Sequence, residues 1–247
     1  MSAPLLEVWN LTAAYGRAQV LFGLTFGLHA GEVMALVGRN GAGKTTTLKA
    51  IMGLVPATAQ QVAFKGHSLA GLPTYRIARL GLGYVPEDRR IFTDLTVDEN
   101  LETGRRAAAS RRASHDAAGA GRSPWTPERL FRLFPNLAEM RDRRGNQMSG
   151  GEQQMLAIAR TLMGNPDAIL LDEPSEGIAP VIVQMMAEAI RAMKAEGVAV
   201  LLSEQNWAFA AGISDRACVI ERGEIRFQGA MADLMAGEAL RAETLGV

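Results

Sequence analysis

The sequence predicts an α/β fold built on a mostly parallel sheet covered by helices, and three observations carry that prediction. Short apolar runs alternate with amphipathic helical stretches, the pattern of strands joined by crossover helices. Two of the runs, Val33–Val37 and 168–171, are apolar throughout, as strands buried on both faces are. The first of them passes through a glycine-rich loop into a helical stretch carrying Leu48, Ile51 and Met52.

The elements follow in order. Val20, Phe22, Leu24, Phe26 and Leu28 alternate with other residues, which predicts a strand with one covered face. After the first buried strand and its helix, the stretch 105–126 is rich in Ala, Arg, Ser and Gly, with no periodic apolar position before Leu130. It reads as a mobile surface connection. Its paired arginines, Arg105-Arg106 and Arg111-Arg112, read as a solvated charge run rather than a contact for lipid or RNA. Ser149 and Glu152 have capping-box spacing ahead of a helix with Met155, Leu156, Ala159, Leu162 and Met163 on one face. The run 198–202 predicts a third buried strand. Residues 217–229 predict a hairpin turning at Arg222-Gly223. No repeat period is visible.

Bulk properties narrow the function classes. A chain of 247 residues suits one α/β domain, or one core with an inserted subdomain. Lys+Arg and Asp+Glu are both 26, so no global field favours nucleic acid or anionic lipid. The lone cysteine, Cys218, excludes an intramolecular disulfide and suits a reducing compartment. Within its apolar run it reads as buried filler. The start of the chain lacks a signal-peptide pattern. The longest apolar runs are five or six residues, against the ~20 of a spanning helix. These readings predict a cytosolic chain that meets any membrane through partners.

Three motifs carry chemistry. Gly38-Arg39-Asn40-Gly41-Ala42-Gly43-Lys44-Thr45, with Thr46 beside it, fits the phosphate-binding pattern G-x-x-x-x-G-K-[ST] between strand and helix. Its glycines let backbone N–H groups and a helix N-terminus face phosphate oxygens. Lys44 can neutralise the β/γ-phosphates, and the Thr45 hydroxyl can coordinate Mg²⁺. The second motif is Asp172-Glu173-Pro174 at the end of the run 168–171. A carboxylate there lies beside the phosphate loop in such sheets. Asp172 is the candidate for Mg²⁺, directly or through water, and Glu173 for orienting and deprotonating the attacking water. The third motif is Met148-Ser149-Gly150-Gly151-Glu152-Gln153-Gln154.

With that third motif the chain resembles the ABC ATPase family, whose signature reads L-S-G-G-Q/E; only Met148 departs. The resemblance implies a P-loop NTPase core with an N-terminal antiparallel β element and an inserted helical subdomain. The core spans about 1–87 and 158–247, and the subdomain about 88–157. It further implies that Ser149, Gly150 and Gly151 contact the γ-phosphate of ATP on another subunit, so that a dimer completes two sites. Tyr15 falls where the family stacks an aromatic ring on adenine. Glu87 falls where a glutamine usually senses Mg²⁺ and the permease, beside a groove for a permease helix. Ala179 lacks the carboxylate usual at its position, and Gln205 stands where most members touch the γ-phosphate with histidine.

Those departures are similar to one branch, the shorter ATPase subunits of branched-chain amino-acid importers. Subunits serving urea and short-chain amide uptake share most of the features. The resemblance implies ATP and Mg²⁺ as ligands, and permease subunits as partners. It also implies a homodimer or a heterodimer with a second ATPase subunit, indirect service to a solute-binding protein, and no nucleic acid. The expected location is peripheral, on the cytoplasmic face of a bacterial-type inner membrane. A non-transport ABC ATPase and a regulatory module that hydrolyses little remain open alternatives.

Overall fold

The computed structural model describes residues 3–113 and 123–237, and of 106–113 the backbone alone. The chain opens with β1 (Leu6–Tyr15), β2 (Ala18–Leu28) and β3 (Val33–Val37), followed by α1 (Lys44–Ile51). Three short strands come next, β4 (Ala57–Thr58), β5 (Gln61–Phe64) and β6 (His67–Ser68), then α2 (Thr74–Leu80) and β7 (Leu82–Val85). Four helices occupy the middle: α3 (Val97–Ala113), α4 (Pro127–Leu133), α5 (Pro135–Ala138) and α6 (Gly150–Met163). The remainder alternates as β8 (Ala168–Asp172), α7 (Pro180–Ala195), β9 (Ala199–Glu204) and α8 (Trp207–Ile213). It ends in β10 (Arg216–Glu221), β11 (Glu224–Ala230) and α9 (Met231–Ala236).

Two sheets result. The larger runs β11-β10-β3-β9-β8-β7 and is parallel except for the terminal hairpin. Its central strands β3, β8 and β9 are buried at every position, which is why they read as unbroken apolar runs. The smaller sheet is antiparallel, ordered β2-β1-β5-β6 with β4 beside β1. One apolar core fills the space between the sheets around Leu6, Leu24, Met34 and Leu48. A second joins the other face of the parallel sheet to α3–α7 through Leu101, Leu130, Leu156 and Ile190. The hairpin turns at Arg222 (φ 48°) and Gly223 (φ 79°), the left-handed pair of a two-residue turn.

Two expectations need correction. The alternation over β2 is broken, because Leu11 pairs with Leu24 while Thr12 pairs with Phe22. Gly23 is thus the extra residue of a bulge, at φ 80°. Leu21 turns inward and Phe22 outward, 47% exposed. The stretch expected to be a surface connection also departs at both ends. Helix α3 continues to Ala113, since Ala and Arg favour helix without any amphipathic stripe. At the far side Trp125 is buried in the second core. Its backbone N–H donates to Asn165 Oδ1 at 2.6 Å, and the Arg129 guanidinium lies 4.6 Å from the centre of its ring. Residues 114–122 of that stretch lie outside the described residues.

Candidate functional site

The site is assembled at the C-terminal ends of β3, β8 and β9. The loop leaving β3 must pass close under the C-terminal hairpin. A Cβ on Gly38 would drive into the Ile220 carbonyl, and one on Gly43 would stand 2.7 Å from Leu21 Cδ2. Gly43 also has φ 111°, which other residues rarely adopt. It precedes α1 without a side-chain cap, and no acidic residue lies in the first turn. The free N–H groups there form an anion-binding end.

Lys44 is the first residue of α1 and is only 4% exposed. Its Nζ donates to the carbonyls of Gly38 at 2.8 Å and Arg39 at 3.3 Å. It also pairs with Glu173 Oε1 at 3.0 Å. Thr45 Oγ1 donates to Asp172 Oδ1 at 2.9 Å, across 127 residues of sequence. Asp172 is fully buried, and both its oxygens are partnered: Ser203 Oγ donates to Oδ1 at 2.7 Å and Tyr84 OH to Oδ2 at 3.1 Å. Burial, reinforced by the Asp172 charge, pushes the Tyr84 hydroxyl far above its ordinary range.

Glu173 leaves the end of β8 in left-handed backbone, φ 44°. Its N–H is held by the carbonyl and hydroxyl of Ser203, at 3.0 and 3.2 Å. The side chain is therefore aimed at Lys44, while Oε2 is buried without a partner. Glu176 comes within hydrogen-bonding reach of Glu173, and that contact, followed by burial and the charge of Glu173, raises its pKa. Burial likewise raises Glu204, against the opposing hydrogen bonds of the Ser175 and Asn206 N–H groups.

The structure thus brings Lys44, Thr45, Asp172 and Glu173 together. Thr46 is buried in the first turn of α1. Gln205 follows β9, whose Glu204 pairs with Val37 of β3. It lines a pocket of 330 Å³ with Gly38, Arg39, Asn40 and Trp207. Tyr15 ends β1 and is half exposed. Glu87 is exposed after β7, close enough that its charge acts on Glu176. Ser149 caps α6 with the reciprocal hydrogen bonds expected of a capping box: Glu152 Oε2 accepts from the Ser149 N–H at 2.6 Å. Among the described residues, no hydrogen bond or ion pair joins Ser149, Gly150 or Gly151 to the phosphate loop. Sequence reasoning missed Tyr84 and Ser203. Both reach Asp172 through the pairing of β7 and β9 with β8, which no local motif reveals.

The oxygen donors fit Mg²⁺. Among the described residues no three His, Cys, Asp or Glu side chains form a metal cage. Thr45 and Asp172 offer one hydroxyl and one carboxylate, the sparse hard-oxygen set of an ion that also takes phosphate and water ligands. No helix among the described residues is long and apolar enough to cross a membrane.

Comparison with known proteins identifies the family and the fold. A family model described as ABC transporter matches residues 21–176. The high-affinity branched-chain amino acid transport ATP-binding protein BraG of Pseudomonas aeruginosa is 38% identical over 242 residues, covering 98% of this chain and 100% of that protein. The lipopolysaccharide export system ATP-binding protein LptB of Escherichia coli is 32% identical over 241 residues, covering 98% and 97%. Among solved structures, an ATP-binding subunit of an ABC transporter has 30% identity and a TM-score of 0.78, covering 98% of this chain and 96% of that one. A nucleotide-free ATP-binding cassette shares the fold at 23% identity and a TM-score of 0.78, covering 96% and 97%.

Proposed function

The chain belongs to the ABC transporter family as an ABC-type ATPase, and on that premise we propose that it powers import of branched-chain or related hydrophobic amino acids. The observation that supports the ATPase site is the convergence of Lys44, Thr45, Asp172 and Glu173 from two distant stretches of chain. For the cargo, the support is the similarity to BraG over nearly the whole of both chains. The chain works with membrane-spanning permease subunits, as a dimer of two ATPase chains, at the cytoplasmic face of a bacterial inner membrane. A solute-binding protein delivers the cargo, and nucleic acid takes no part.

Mg²⁺ held there would supply positive charge to the terminal phosphate of ATP. Thr45 and Asp172 would hold the ion, with Ser203 and Tyr84 fixing the Asp172 carboxylate by their hydrogen bonds. Glu87 stands at the edge of that site as a link to ion and permease. The loop from Gly38 through Thr46 wraps the phosphates, and Tyr15 packs on the adenine. Lys44 exchanges its carbonyl partners and Glu173 for phosphate oxygens. That exchange frees Glu173 to accept a proton from water. Gln205 donates its amide to the terminal phosphate, a weaker contact than a charged donor makes. Ser149, Gly150 and Gly151 close on the nucleotide of the other subunit, so closure and opening can bias the permease.

The test is uptake. Deleting the gene should abolish high-affinity leucine, isoleucine or valine uptake, with rescue by the wild-type chain and not by Glu173→Gln. Unchanged uptake of all three would overturn the cargo. Lost urea or amide uptake would then point to that branch, and a lipopolysaccharide export defect to a role like that of LptB, 32% identical over most of the chain.

A further inference from the structure

Arg89 has a setting that the mechanism above leaves unused. With Arg90 it forms two successive non-glycine residues in left-handed backbone, at φ 62° and 49°. Such conformations persist only where the surroundings impose them, and they concentrate at functional sites. The two side chains differ. Arg90 Nε donates to both oxygens of Asp88, at 3.2 and 2.9 Å. Arg89 has no carboxylate partner and no side-chain hydrogen bond among the described residues.

The Arg89 guanidinium lies instead against Gly150. A Cβ added at Gly150 would stand 2.8 Å from Nη1 and 3.1 Å from Nη2, so a larger residue there would displace the arginine. Gly150 is the first residue of α6, a helix of 14 residues capped by Ser149. A helix N-terminus is a positive pole, where a cation is opposed rather than stabilised. The nearby Glu152 carboxylate is turned to the Ser149 N–H at 2.6 Å and forms no ion pair with Arg89. Two sources of positive potential therefore meet at one spot. The arrangement becomes favourable once an anion with several oxygens arrives.

We propose that Arg89 is a phosphate-binding residue that acts in trans, donating to the terminal phosphate of ATP held by the Lys44 loop of a second copy of this chain. The proposal rests on the reading that Ser149, Gly150 and Gly151 face the nucleotide of the other subunit. A guanidinium offers two parallel donors to two phosphoryl oxygens, a match that a lysine ammonium lacks. It also balances charge on those oxygens during transfer.

The test uses the full chain. In a Glu173→Gln background, Arg89→Ala should leave ATP binding to the single chain unchanged and weaken ATP-driven dimerisation by about 10²-fold, the scale of one lost preorganised donor. Arg89→Lys should recover part of it, and equal melting temperatures would show that both variants fold. Mixing then separates trans from cis action. An Arg89→Ala chain and a Lys44→Met chain, both with Glu173 intact and each impaired alone, together contain one intact composite site, so the mixture should hydrolyse ATP faster than either. An Arg89→Ala chain that dimerises like its parent, or a mixture no more active than its components, would overturn the proposal. If the Glu173→Gln parent itself fails to dimerise with ATP, the composite-site reading fails first and takes this inference with it.

Discussion

Replacing Lys44 with methionine should destabilise the nucleotide-free protein as well as abolish phosphate binding. The ammonium and Glu173 Oε1 are 3.0 Å apart, with side chains 3% and 7% exposed, so solvent screens the pair little. Glu173 Oε2 already lacks a partner. Removing Lys44 therefore leaves the carboxylate buried without its cation, beside a second carboxyl, Glu176. Breaking one side of a buried pair costs about 3–5 kcal/mol. For a chain of this size about 1 kcal/mol moves Tm by roughly 2–4 °C, so Lys44→Met should melt at least about 6 °C below wild type. The double variant Lys44→Met/Glu173→Gln removes the stranded charge and should regain about 2 kcal/mol of that loss. Thermal and urea unfolding without nucleotide measure both. If Lys44→Met melts within about 2 °C of wild type, or the double variant is no more stable than the single, the contact has little energetic weight.

Two further outcomes follow from the geometry. Glu204 is fully buried and its pKa is raised chiefly by burial, so the folded state binds its proton more tightly than the unfolded chain does. Its protonation stabilises the fold at acid pH, and that contribution is lost as pH rises through the folded pKa, above the ordinary glutamate range. Glu204→Gln should flatten the stability–pH profile over that window, and a profile parallel to wild type would sink the assignment. Trp125→Ala should cost about 3–5 kcal/mol in urea unfolding, because the ring fills the core shared with Leu130 and Leu162; a surface-connection role predicts almost no change.

Much of the site was legible because its chemistry is local. The strand, glycine loop and helix around Lys44 are contiguous, and Asp172-Glu173 ends a run whose apolar character marks a doubly buried strand. The hairpin at Arg222-Gly223 was equally plain. What escaped depends on pairing and packing. Ser203 reaches Asp172 because β8 and β9 set those residues side by side, and sequence does not display register. The Gly23 bulge reversed the faces of Leu21 and Phe22 for the same reason. The continuation of α3 escaped because a helix rich in Ala and Arg can form on propensity, without the apolar periodicity used to find helices. Trp125 was passed over as part of a polar stretch, although a lone tryptophan among small residues is a core anchor whenever a neighbouring helix supplies the pocket.

The account rests most heavily on Glu173 as the group that takes the proton from water once Lys44 has turned to phosphate. The direct measurement is phosphate release from Mg²⁺-ATP by the assembled transporter, wild type against Glu173→Gln, with ATP binding followed in parallel. The account predicts retained binding and turnover lower by about 10²-fold or more, the contribution of a positioned general base. Turnover within about threefold of wild type, at equal nucleotide occupancy, would contradict it.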